Sequence, residues 1–250
     1  RHHKDAHIIL LTTAPFADFA GRAPWFDEVW VDSRPKTFDV AGWLALRRRL
    51  CGAGFTRVYD LQTSDRSSFY FHLFWPGAKP EWSGIARGCS HPHDNAKRDF
   101  MHTIDRQAEQ LAFAGLDVRP ADFLWVRRGT LRFELPRPFV LLLPGGAIHR
   151  PEKRWPIAHY SALATEIAKH GMTPVVLGTA AEKPLADAIA AVAPRVSDLT
   201  GKTDIADLFA LAREAAFAVG NDTGPMHIAA AMSCPTVVLF SAASNPALCA

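Results

Sequence analysis

The residues best suited to chemistry sit in the segment Gly220-Asn-Asp-Thr-Gly-Pro-Met-His227. Asp222 and Thr223 supply oxygens, Gly224 permits close backbone approach, and Pro225 suits a first helical turn. The apolar run Ala216–Val219 comes just before, so the segment reads as a strand end opening into a helix. Exposed N–H groups and the helix dipole make such a terminus a site for anions. A plain strand–turn–helix cap would use the same residues. It would not explain His227, because a cation in a first helical turn is disfavoured unless an anion is near.

Two more segments have this placement. Pro144-Gly-Gly-Ala147 is followed by Glu152-Lys-Arg-Trp-Pro156. This is neither a GxGxxG fingerprint nor a P-loop. Yet Gly145 and Gly146 follow an apolar run, and Lys153 stands just before a helix that opens at Pro156. A lysine there can reach a diphosphate as a flexible point charge. A solvated Lys-Arg pair beside a packed Trp fits equally well. In Leu177-Gly-Thr-Ala-Ala-Glu182, Gly178 ends a strand and Glu182 opens a helix. Glu182 can accept ribose hydroxyls, as acids do in nucleotide folds, or serve only as a first-turn acid that the dipole favours.

The elements that must position these residues alternate between strand and helix, which predicts a parallel α/β architecture. In the first half, strands are expected at Ala6–Leu11, Glu28–Val31, Arg57–Leu61 and Trp82–Ala86. Helices are expected at Phe38–Leu50, Ser67–Phe74 and Thr103–Ala114, with Gly88–Phe100 as a loop. The stretch 127–138 is basic, proline-bearing and aperiodic, and it reads as a linker between domains 1–126 and 139–250. Beyond it, strands are expected at Phe139–Leu143, Thr173–Leu177, Val196–Leu199, Ala216–Val219 and Thr236–Phe240. Helices follow at Ile157–His170, Glu182–Val192, Asp204–Arg213 and Pro225–Met232, the pattern of a Rossmann-like domain.

Composition narrows the class. Hydrophobic residues make up 48% of the 250 and charged residues 21%, the balance of a globular chain with a real core. The formal charge of +3 is too mild for a nucleic-acid binder. Arg47-Arg-Arg49, Arg127, Arg128, Arg132 and Arg137 could face an anionic partner, but each alone reads as a solvated charge. Cys51, Cys89, Cys234 and Cys249 are scattered and read as reduced cytosolic thiols. Cys89-Ser-His-Pro-His93 could be drawn as a metal site, with His91 between, yet a fourth ligand is missing and a solvated loop reads better. No metal is expected. No apolar run is long enough to span a bilayer.

Taken together, Pro144-Gly-Gly, Lys153-Arg-Trp-Pro156, Val176-Leu-Gly178, Leu199-Thr-Gly-Lys202 and Asn221–His227 resemble glycosyltransferase family 9, the lipopolysaccharide heptosyltransferases. In the first half, Thr12-Thr13, Asp27-Glu-Val29, Tyr59-Asp-Leu-Gln62 and Arg66-Ser67 resemble it more loosely. The resemblance implies a GT-B fold, two Rossmann-like domains with parallel sheets facing a cleft. It also implies an inverting transfer of heptose, or a related sugar, from an ADP-sugar to the lipopolysaccharide inner core. Lys153 then matches the lysine that neutralises the donor diphosphate, and Glu182 the acid on the ribose. Asp222, Thr223, Gly224 and His227 match the motif around phosphates and sugar, with Gly145, Gly146 and Gly178 completing the donor contacts. No metal or other cofactor is implied. The setting it implies is cytoplasmic and peripheral to the inner membrane, beside the lipopolysaccharide-core acceptor.

Against the family pattern, the chain is expected to lack a first strand with its Gly-Asp loop, whose aspartate is the general base, and to lack the final helices. It is therefore expected to bind a nucleoside diphosphate without transferring sugar. Asp18, Asp60 and Asp65 are the available carboxylates, but none matches the position of the base. A nucleotide-sugar epimerase of the same architecture and a non-catalytic nucleotide-sugar binding module are the alternatives.

Overall fold

The computed structural model describes residues 2–118, 123, 125–126, 129–146, 150–193, 195–242 and 244–248. Arg127, Arg128, Ala147 and Cys249, named above, lie outside these. The chain divides into two compact units, residues 1–120 with 247–250 and residues 121–246.

The first unit carries two parallel ladders. In one, β1 (Ile9–Thr12) runs beside β2 (Glu28–Val31); in the other, β3 (Arg57–Tyr59), β4 (Glu81–Gly84) and β5 (His91–Pro92) are paired in that order. Between β1 and β2 stands α1 (Ala14–Gly21), where the sequence reading places no helix. It is only 8 residues long, has a proline in its first turn and buries Ala20 alone, so no apolar period marks it. By contrast, α2 (Val40–Gly52) is clear: Asp39 accepts the Gly42 N–H at 2.8 Å, and Leu46 and Leu50 face inward. Next, α3 (Asp65–His72) begins earlier than expected because Ser64 and Ser67 close a capping box. β3 stops at Tyr59 because the Asp60 side chain turns back onto the Thr63 N–H at 3.0 Å. The expected loop 88–100 contains β5 and a 3-10 turn at Arg98–Phe100, and α4 (Thr103–Phe113) follows. Leu46, Leu50, Phe71, Phe74 and Trp82 form the core.

Among its described residues the second unit holds a five-stranded parallel sheet. Its strands are β6 (Phe139–Leu143), β7 (Thr173–Val176), β8 (Ser197–Asp198), β9 (Phe217–Asn221) and β10 (Thr236–Leu239), in the order β10-β9-β6-β7-β8. Helices α5 (Ile157–Lys169), α6 (Lys183–Ala190), α7 (Ile205–Glu214) and α8 (Gly224–Ala231) connect them, as the alternating pattern predicts. Every residue of β6 is buried, as befits the central strand of a sheet covered on both faces. From β6 the chain winds outward to β7 and β8, then returns to the other side for β9 and β10. The strand order therefore reverses between β6 and β9, and ligands of open α/β sheets bind at the carboxyl ends beside such a reversal.

Residues 129–138, read as linker, attach to this unit. The Arg132 guanidinium donates to both oxygens of Asp207 at 2.7 and 2.6 Å, and Arg137 donates to Glu214 at 2.8 Å.

Candidate functional site

The last residue of β9, Asn221, is 1% exposed and joins three segments. Its Nδ2 donates to the Pro144 and Gly145 carbonyls, both at 2.9 Å. Its Oδ1 accepts the Trp155 N–H at 2.9 Å and the Tyr160 hydroxyl at 3.1 Å. Two donors and two acceptor positions are thus all used. The loop after β6, the Lys153–Pro156 segment and the end of β9 are locked at the reversal point. Burial pushes the Tyr160 phenol well above its ordinary range, so it serves as a fixed donor.

Glu182 fastens the next loop. Its Oε1 accepts the Gly146 N–H at 3.1 Å, while Oε2 accepts the Thr179 N–H at 2.6 Å and hydroxyl at 3.0 Å. Thr179 and Glu182 form a capping box, which is why a 3-10 turn over Ala180–Glu182 precedes α6 and the helix itself begins at Lys183. A β-carbon on Gly145 would overlap the Glu182 carboxylate, and one on Gly178 would lie 2.9 Å from Oε2. Both glycines are there to let this carboxylate in. Glu182 therefore sits beside Gly145, Gly146 and Gly178, with two of its bonds to backbone N–H groups and one to the Thr179 hydroxyl.

Lys153 closes a 3-10 turn at Pro151–Lys153 and donates to Asp222 Oδ2 at 3.0 Å. Their side chains are 18% and 10% exposed. The Ser244 hydroxyl donates to the same oxygen at 3.0 Å, and His227 Nε2 stands 3.7 Å from Oδ1. Burial pushes the Asp222 carboxyl up, but the Lys153 and Ser244 hydrogen bonds outweigh it and hold the group below its usual range. Thr223 is the N-cap of α8 in extended backbone, and its side chain makes no cap hydrogen bond. Gly224 is exposed, and His227 presents a half-exposed ring from the first turn of α8. A β-carbon on Gly146 would meet Thr223 Cγ2 at 3.8 Å, so the two loops touch. A helix N-terminus, a lysine and a histidine thus gather at one crevice, an arrangement that attracts an anion.

The expected residues Gly145, Gly146, Lys153, Gly178, Glu182, Asp222, Thr223, Gly224 and His227 all belong to this sheet edge. Sequence reasoning missed the positioning work of Asn221, Tyr160 and Arg154, whose Nη2 donates to the Gly146 carbonyl at 2.7 Å. An amide at a strand end within a Gly-rich motif was the available signal for Asn221. Ser244 carried none.

In the first unit the three candidate carboxylates have different settings. Asp18 is exposed and paired with Arg22 at 2.5 Å. Asp65 is exposed in the first turn of α3. Asp60 is 6% exposed, and burial pushes its carboxyl up. A shallow polar pocket opens among Thr13, Asp32, Arg34, Gln62, Arg66 and Tyr70. Tyr70 donates to Asp32 at 2.7 Å, and burial together with that bond pushes its phenol up to about 12.

Cys89 donates to the Gly84 carbonyl at 3.7 Å, His91 contacts Ser90 at 3.0 Å, and the ring of His93 is buried against Phe113. Among the described residues, no three His, Cys, Asp or Glu side chains converge to hold a metal ion. None of the helices formed by these residues is long and apolar enough to cross a membrane.

Comparison with known proteins gives a consistent result. The model of glycosyltransferase family 9 (heptosyltransferase) matches residues 43–248. Lipooligosaccharide heptosyltransferase 2 of Haemophilus influenzae is 34% identical over 113 residues, 43% of this chain and 32% of that protein. Lipopolysaccharide heptosyltransferase 2 of Escherichia coli is 33% identical over 113 residues, with the same coverage of 43% and 32%. The chain thus spans about a third (32%) of the length of these curated relatives. Among solved structures, ADP-heptose lipopolysaccharide heptosyltransferase II of E. coli superposes with a TM-score of 0.76 at 22% identity, covering 98% of this chain and 78% of that one. An E. coli heptosyltransferase solved with ADP gives 0.72 at 21% identity, covering 95% and 78%. These likenesses show the fold, a GT-B-type α/β architecture with parallel sheets.

Proposed function

Because this chain belongs to glycosyltransferase family 9, we propose that it serves as an inverting glycosyltransferase that moves heptose, or a related sugar, from an ADP-sugar to the lipopolysaccharide inner core. One observation carries the reading. The loops after β6, β7 and β9 are cross-linked by Asn221 and Glu182 into a rigid crevice at the sheet's reversal point, with Lys153 beside the N-terminus of α8. Preorganised cationic and dipolar groups of this kind stabilise charge that develops on a leaving group.

In this mechanism an acceptor hydroxyl attacks the anomeric carbon from the face opposite the diphosphate. The bond from that carbon to the diphosphate oxygen breaks and its electron pair stays on the oxygen. Lys153 and the α8 N-terminus stabilise that charge, assisted by Thr223, Gly224 and His227. Gly145 and Gly178 admit the Glu182 carboxylate, Gly146 keeps the loop backbone close to the nucleotide, and the remaining capacity of Glu182 serves the ribose. The hydroxyl's proton goes to a base that none of Asp18, Asp60 or Asp65 is assigned to be. Lys153 and the helix terminus supply the neutralisation that a metal provides elsewhere. The acceptor, a lipopolysaccharide core, places the reaction at the cytoplasmic face of the inner membrane.

The first test is ligand protection. A ligand that binds only the folded state raises its melting temperature. Millimolar ADP should protect the second unit, and transfer from ADP-heptose to a deep-rough lipopolysaccharide acceptor should follow in the intact enzyme. An unchanged melting temperature with ADP, UDP and GDP alike overturns the reading. Epimerisation of the nucleotide sugar without any acceptor would replace transfer as the reaction.

A further inference from the structure

We propose that Ser244 is a positioning residue of the nucleotide site, acting through Asp222 on Lys153. The inference rests on the reading of Lys153 as the cation that meets the donor diphosphate. Ser244 lies beyond β10, 22 residues from Asp222 and outside every motif of the site. Its hydroxyl nevertheless donates to the oxygen, Asp222 Oδ2, that Lys153 also engages, each at 3.0 Å.

The need for such a contact follows from charge. Asp222 is a mostly buried carboxylate at the mouth of an anion site, where it repels an incoming diphosphate. It also grips the lysine that the diphosphate requires. Two consequences arise when Ser244 occupies part of Oδ2. The carboxylate stays anchored when Lys153 leans towards phosphate, because the serine bond does not depend on the lysine. In addition, the lysine shares its acceptor with a second donor, so exchanging Asp222 for a phosphate oxygen costs less. The other carboxylate oxygen stands 3.7 Å from His227 Nε2. Without the serine, Lys153 no longer shares Oδ2 with a second donor, so it is held more tightly and moves less readily to a phosphate oxygen.

The experiment is a double-mutant cycle read by calorimetry on the protein, with ADP and adenosine as probes. Ser244→Ala should weaken ADP roughly five- to tenfold, the worth of one hydrogen bond, and leave adenosine within twofold. Ser244→Thr, which keeps the hydroxyl, should restore ADP binding. In a Lys153→Ala background, Ser244→Ala should have no further effect on ADP, because the residue acts through the lysine. Melting curves of all variants report whether the fold is intact. ADP affinity unchanged in Ser244→Ala, equal losses for ADP and adenosine, or additive losses with Lys153→Ala would each overturn the proposal. Wild-type protein that binds adenosine but gains nothing from the phosphates would remove the diphosphate reading of Lys153 first, and this inference with it.

Discussion

The two units share a parallel α/β plan but treat the polar groups at their strand ends in opposite ways. In the second unit Asn221 uses its whole amide, and Glu182 and Asp222 each accept several hydrogen bonds from neighbouring loops. In the first unit Asp60 is similarly enclosed, with Oδ1 accepting the Thr63 N–H, while Oδ2 has no hydrogen-bond partner among the described residues. The difference concerns rigidity. A buried polar group whose capacity is filled fixes the segments that fill it, whereas a partly filled one remains a reservoir of free energy that titration can tap. Loops pinned by filled groups are already shaped for a ligand, and this lowers the ordering cost of binding.

The largest effect should come from the residue with the most bonds. Asn221→Leu keeps the volume but leaves the Pro144 and Gly145 carbonyls and the Trp155 N–H without their partner, and the Tyr160 hydroxyl with its longer bond to the Leu143 carbonyl at 3.3 Å. At about 1–3 kcal/mol per buried group left unpaired, with partial relaxation, the expected loss is about 3–5 kcal/mol. In the first unit Gln110→Leu removes bonds to the Asp60 carbonyl at 2.9 Å and the Ser83 carbonyl at 3.3 Å. It should cost about 1–2 kcal/mol. Urea unfolding followed by hydrogen exchange in each unit separates the two. Equal losses would break the contrast.

What the sequence revealed follows the same division between local and distant contacts. The passage from β9 into α8 was legible because an apolar run, Gly220 and Pro225 are adjacent in the chain. Lys153 was found, but its partner Asp222, 69 residues away, was not paired with it. The four partners of Asn221 lie 61 to 77 residues away, so no local pattern could announce its role. β5 was hidden for the same reason: His91–Pro92 carries no strand pattern and becomes a strand only by pairing with Ser83–Gly84. Glu182 was read at the start of a helix, but its capping role shifted that start to Lys183, which helical periodicity alone does not register.

The next effect is on chemistry. Lys153→Ala in the intact enzyme should lower turnover on the order of a hundredfold, more than it weakens donor binding, because charge on the diphosphate grows in the transition state. Lys153→Arg should rescue only in part, since a planar fork replaces a point charge. A rise confined to the donor Michaelis constant would make Lys153 a uniform binding contact instead. That outcome would weaken the link between a preshaped crevice and catalysis.

The smallest effect gives the sharpest contrast, because two strand-end aspartates should respond to pH with opposite signs. The Asp222 carboxyl, which burial pushes up but Lys153 and Ser244 hold below its ordinary value, favours the charged form. Its contribution to stability is present above the unfolded value of about 3.9 and is lost as pH falls through the lowered folded value. Asp60 runs the other way: burial raises its folded value, so its contribution is complete below the unfolded value and disappears as pH rises through the raised one. Asp60→Asn keeps an oxygen for the Thr63 N–H and removes the buried charge. At neutral pH the first unit should therefore be as stable as wild type or gain up to about 1 kcal/mol. Its stability should also stop falling as pH rises from about 4 towards neutrality. Asp222→Asn should instead cost stability at neutral pH and flatten the acid limb of the second unit. Hydrogen exchange at the β3 and β9 amides across this range tests both at once. A clear loss from Asp60→Asn at neutral pH would mean that the Asp60 charge is compensated after all, and that the strand ends of the first unit are as fully satisfied as those of the second.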